Sequence, residues 1–133
     1  MKQKIVDFSK LHIDTNIPVY PQITDFIKTG ILKGEIISGD ELPSRRELAI
    51  TIGINPNTSQ KAYKALEDEG LLTTEATSKS KIVFSDETYA MLKNELIDNI
   101  VSDFFNKATS TGLTYKEITA LIAEKWQEDG NEE

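Results

Sequence analysis

The stretch Pro43–Gly70 carries start and stop signals for two short helices, with room between them for a turn and nothing else. Ser44 followed three residues later by Glu47 is a capping box, in which each side chain serves the other residue's backbone N–H at a helix start. Gly53 closes that helix, Asn55 caps a second one with Pro56 at its first position, and Gly70 ends it. Two helices joined so tightly make a helix-turn-helix, a geometry suited to laying one helix in the major groove of DNA.

On the second helix Ser59, Ala62, Tyr63 and Leu66 fall at i, i+3, i+4 and i+7, which gives one inward stripe. The opposite side carries Asn57, Thr58, Gln60, Lys61 and Lys64. Short hydrogen-bonding groups near the N-terminus can read base edges, and the cations further along can hold phosphates. Arg45 and Arg46 stand at the start of the first helix, the end whose dipole repels cations, and a negative partner would offset that. Capped helices with polar, Lys-bearing faces are also common as plain solvated surface, so the pattern by itself leaves both readings open.

Several separated motifs in one order resemble the GntR family of bacterial transcription regulators. They are Pro18-Val19-Tyr20-Pro21-Gln22-Ile23, then Gly34, then Gly39-Asp40-Glu41-Leu42-Pro43-Ser44-Arg45-Arg46-Glu47-Leu48-Ala49, and finally Ala65-Leu66-Glu67-Asp68-Glu69-Gly70-Leu71, together covering about half the chain. Asn55-Pro56-Asn57-Thr58-Ser59-Gln60-Lys61-Ala62-Tyr63 is most similar to the YtrA-type subfamily, whose members have a short helical tail. The resemblance implies a repressor that binds double-stranded operator DNA, and it points to a neighbouring transporter operon as the target.

The family's wing usually has Gly-x-Gly at its tip, where this chain has Ser78-Lys79-Ser80. Leu71 to Glu75 and Lys81 to Ser85 are still expected to form the hairpin, because Ile82, Val83 and Phe84 favour strands. Lys79 would then reach the minor groove or the phosphates, unless the tip is simply a polar loop that touches nothing. Ahead of the reading helices, Ile23, Phe26, Ile27 and Ile31 form the stripe of a helix from about Pro21 to Lys33, closed by Gly34, and Glu35 to Leu42 reads as a turn or short strand. The expected fold is therefore mainly α with a small β-hairpin: a winged helix-turn-helix over residues 1–84, followed by a helical dimerisation tail over 85–133. The DNA-binding residues expected from it are Ser44, Arg45, Arg46, Asn57, Thr58, Gln60, Lys61, Lys64 and Lys79.

The tail reads as a long helix from Asp86 to about Ser110, a break at Gly112, and a last helix opened by the capping box Thr114/Glu117. Its apolar residues form two adjacent rows, a face broader than a two-helix hairpin can cover by itself. That face must pack on the reading domain, on a second copy, or on both. A two-fold dimer is the preferred reading because it matches a palindromic operator, with Leu92, Leu96, Ile100, Phe104 and Trp126 at the contact. A small-molecule effector, if one acts, would use the cleft of that dimer.

The net charge of −7 is unevenly distributed. Residues 1–84 hold 11 Lys/Arg and 11 Asp/Glu, whereas residues 85–133 hold 4 and 11, so the acidity belongs to the tail and a local basic face is compatible with it. The chain has no cysteine, which excludes disulfide frameworks and Cys-based zinc sites, and its one histidine, His12, has no second ligand or catalytic partner nearby. No metal, cofactor or catalytic residue is expected, since no nucleophile, base and orienting group stand at useful spacing. There is no apolar run near the roughly 20 residues of a membrane span and no signal-peptide layout, so no membrane partner is expected and a cytoplasmic location is. The rival from another class is a protein-interaction module built on the same winged helix.

Overall fold

The computed structural model describes residues 4–76 and 79–130. Its elements in chain order are α1 (Tyr20–Leu32), β1 (Glu41–Leu42), α2 (Arg45–Ile52), α3 (Pro56–Asp68), β2 (Leu72–Thr74), β3 (Ser80–Ile82), α4 (Asp86–Ser110) and α5 (Tyr115–Glu128). The chain divides into two compact units, Met1–Lys93 and Asn94–Glu133.

In the first unit the helix boundaries follow the local signals. The Ser44 hydroxyl accepts the Glu47 N–H at 3.0 Å while the Glu47 carboxylate accepts the Ser44 N–H at 3.0 Å, so the capping box at the start of α2 is complete. Gly53, at φ 71° and ψ 46°, takes the left-handed conformation that ends α2 cheaply only for glycine, and Ile54 N–H then closes back on the Ala49 carbonyl at 2.9 Å. The Asn55 side chain caps α3 through Asn57 N–H at 2.7 Å. Ile23, Ile27 and Ile31 of α1, Leu48 of α2 and Ala62, Tyr63 and Leu66 of α3 are buried together as the three helices pack. Phe26, expected in that stripe, is only half-buried and rests against Phe8, with ring centroids 5.3 Å apart.

The wing is more than a hairpin. β2 and β3 pair antiparallel, Leu72 opposite Ile82, and β1 adds a third strand on the other side of β3, with Glu41 opposite Lys81, giving the order β1-β3-β2. Of the expected strand formers only Ile82 lies within β3; Val83 and Phe84 follow it. Ser78, in the expected tip, lies outside the described residues, as do residues 131–133 of the acidic end.

The N-terminal stretch, to which the sequence assigned no element, is built into this unit. Val6 and Phe8 are buried and Ile5 bridges Glu41, an alternation in which every second residue faces the core. The fully buried Asp40 fastens it: its carboxylate accepts Lys4 N–H and Ile37 N–H, each at 3.0 Å, with the Lys4 ammonium 3.7 Å away. Gly30 permits the close approach that follows, because a Cβ there would collide with the Ile36 side chain.

In the second unit, the Thr114/Glu117 box starts α5, and Thr111 and Leu113 close the inter-helix turn on the Ala108 carbonyl. Ala108 is buried, yet Ile97, Ile100, Val101, Phe104, Phe105, Leu121, Ile122 and Trp126 are all 41–67% exposed. A hairpin of two helices has no third element to cover so broad a face.

Candidate nucleic-acid interface

Packing decides which side of α3 can meet a partner. With Ser59, Ala62, Tyr63 and Leu66 buried, Asn57, Gln60, Lys61 and Lys64 are left exposed on the other side, with Thr58 half-buried at its margin. Arg46 is exposed at the start of α2, and Ser44, although its oxygen is used in the cap, keeps its O–H proton available to donate. The Glu47 carboxyl is held below its ordinary pKa by the Ser44 backbone N–H, so the cap stays ionised near neutrality.

Arg45 is arranged differently. Its guanidinium lies 5.1 Å from the centre of the Tyr63 ring, and its buried Nε has no hydrogen-bond partner among the described residues. The Tyr63 ring is itself fixed, with its hydroxyl donating to the Pro43 carbonyl at 2.6 Å and none of the residue exposed. Burial pushes the phenol well above its usual pKa, with the Arg45 charge acting in the opposite direction, so the hydroxyl remains a donor.

The remaining cations carry internal partners. Lys61 sits 4.6 Å from the centre of the Tyr20 ring. Lys64 donates to Asp68 one turn on at 2.8 Å, a contact that raises its pKa. On the outer face of the wing, Lys79 lies 3.8 Å from Glu41 and Lys81 3.3 Å from Glu75. These carboxylates were absent from the sequence reading, although the i,i+4 spacing of Lys64 and Asp68 announces one of them. The other two come together only through the sheet.

Of the residues assigned to a dimer contact, Ile100, Phe104 and Trp126 are 67%, 48% and 50% exposed, and Leu96 is half-buried. Leu92 stands apart from these. At 6% exposure it belongs to the core of the first unit and has little surface to offer a second copy. Among the described residues there is no cluster of His, Cys, Asp and Glu able to hold a metal ion, and no helix long and apolar enough to cross a membrane.

Three helices with a capped turn and a three-stranded wing define a winged helix-turn-helix, the class of small domain whose second reading helix presents side chains to duplex DNA. The chain belongs to the GntR family: residues 19–79 match the profile described as bacterial regulatory proteins, gntR family, and its relatives are regulators of that kind. The uncharacterized HTH-type transcriptional regulator YhcF of Bacillus subtilis is 35% identical over 101 residues, spanning 76% of this chain and 84% of its own. The HTH-type transcriptional repressor YtrA of the same organism is 52% identical over 60 residues, 45% of this chain and 46% of its own. Among solved structures, a GntR family transcriptional regulator from Listeria monocytogenes superposes with a TM-score of 0.77 at 28% identity, covering 84% of this chain and 98% of that one. The protein is a DNA-binding transcriptional regulator of this family.

Proposed function

We propose that the protein is a homodimeric repressor that acts in the cytoplasm on a palindromic operator, with the first unit reading DNA and the second joining two copies. One observation carries the reading: the buried stripe of α3 turns Asn57, Gln60, Lys61 and Lys64 outward, so hydrogen-bonding groups and cations share one face of that helix. Asn57, Thr58 and Gln60 choose the sequence. Ser44, Arg45, Arg46, Lys61, Lys64 and Lys79 hold the backbone. The similarity to the B. subtilis repressor YtrA through the matched segment supports repression, and regulation of a transporter operon follows as part of the same proposal.

Dimerisation rests on the exposed apolar face of the hairpin. A groove of about 770 Å³ in the second unit, lined by Ile100, Phe104, Leu121, Ile122 and Trp126, is where a second copy packs and where an effector would enter. Sequencing the DNA that co-purifies with the protein and titrating that site at several salt concentrations tests the proposal. Retention that falls steeply with salt is the mark of phosphate contact; retention indifferent to salt would favour a protein-assembly module instead.

A further inference from the structure

We propose that Tyr63, buried and out of reach of any DNA, is a positioning residue for operator binding: its ring is the platform that aims the Arg45 guanidinium at the nucleic acid. The inference rests on the reading of Arg45 as a DNA contact and goes one layer deeper than it.

Arg45 stands in the first turn of α2, where the helix dipole disfavours a cation. A long, flexible side chain in that position would ordinarily swing into solvent, and the entropy of fixing it would be lost again on binding. Here the guanidinium is instead held 5.1 Å over an aromatic face, an attraction between the cation and the ring quadrupole that tightens as water is excluded. Its Nε is buried without a hydrogen-bond partner among the described residues, so the ring contact and not a hydrogen bond at that atom holds the group. A guanidinium stacked on one face still directs its N–H groups outward in the ring plane, the geometry that grips a phosphate or a guanine edge.

The platform is rigid for a reason. Tyr63 lies on α3, and its hydroxyl donates at 2.6 Å to the carbonyl of Pro43, the residue immediately before the cap of α2. One side chain therefore ties the reading helix to the start of the preceding helix, with Arg45 on top of the tie. Leu at this position would fill much of the same apolar space and remove both the ring and the hydroxyl. Phe would keep the ring and lose the anchor.

The test is a set of four variants, Arg45→Ala, Tyr63→Phe, Tyr63→Leu and Arg45→Ala combined with Tyr63→Leu, each checked for folding by circular dichroism and titrated against the operator. Tyr63→Leu should weaken binding by about three- to tenfold, the range of a partly desolvated cation–π contact, and Tyr63→Phe by less. Once Arg45 is already Ala, Tyr63→Leu should cost nothing further. A merely structural Tyr63 would weaken binding by the same factor in both backgrounds, which would overturn the proposal while leaving Arg45 as a contact. An Arg45→Ala protein that binds with unchanged affinity would overturn both. Should Tyr63→Leu not fold, Tyr63→Met, which also removes the ring while filling apolar space, placed in the two backgrounds gives the same decision.

Discussion

Lys64→Ala is the substitution whose effect can be worked furthest. In the free protein the Lys64 ammonium holds Asp68 at 2.8 Å, both side chains are about 60% exposed, and Lys precedes Asp, the less favourable order on a helix. Such a pair is weak and yields readily to a phosphate, whose contact also releases condensed counterions. Each phosphate contact contributes about 0.9 to the slope of log affinity against log salt. Between 50 and 200 mM salt that is a factor of about 3.5 for one contact, or about 12 for the two copies on a two-fold site. Lys64→Ala should accordingly lower the slope by nearly two units, compress the affinity range over that interval by about 12-fold, and weaken all operator variants alike. The substitution also leaves Asp68 as a bare negative charge beside the same surface, so Lys64→Ala with Asp68→Ala separates lost attraction from added repulsion. Fluorescence anisotropy at five or six salt concentrations reads both quantities. An unchanged slope, or an altered ranking of operator variants, would refute the assignment of Lys64 to the backbone.

A protein truncated after Lys93 should keep a folded winged helix, run as a monomer in light scattering and lose most of its operator affinity, whereas the full-length dimer should persist in 1 M salt because apolar burial is not screened. Leu66→Ala, at a fully buried position, should destabilise the first unit by about 2–5 kcal/mol in urea titrations. Ser59→Ala should instead raise stability by about 1 kcal/mol, because the Ser59 hydroxyl is buried with no protein partner among the described residues. Glu117, like Glu47, has its carboxyl pKa held below 4.5 by the N–H of its capping residue, so its stabilisation is complete above that value and is lost as the pH falls through the lowered one. Thermal melts between pH 5 and 3 should show that loss, and Glu117→Gln should flatten it.

The helix-turn-helix was legible in the sequence because every signal that sets it is local: Ser44 with Glu47, Gly53, Asn55 with Pro56, and the spacing of Ser59, Ala62, Tyr63 and Leu66 all lie within 28 residues. The hairpin tail was legible for the same reason, through the Thr114/Glu117 box. What was missed depends on partners far away in sequence. β1 has only two residues and exists because Lys81 and Ser80 pair with them. The N-terminal stretch gave one hint, Val6 and Phe8 alternating with polar residues, too short to weigh against its surroundings. Leu92 falls in the tail's apolar rows by its spacing, and only the packing shows that the opening turns of α4 serve the first unit. Tyr63 was correctly placed in the core stripe, but nothing in a helical period says that its outer face supports an arginine.

The strand order β1-β3-β2 also bears on how the chain is made. β3 is the last of the three to leave the ribosome and the only one that pairs with both others, so until about residue 82 is available β2 has no ladder partner and β1 has only the N-terminal segment. At synthesis rates of about 5–20 residues per second the nascent chain spends seconds with α1, α2 and α3 already made and the edges of β1 and β2 that face β3 unpaired. The wing thus closes from its centre, and that interval leaves two unpaired strand edges as templates for pairing with another chain.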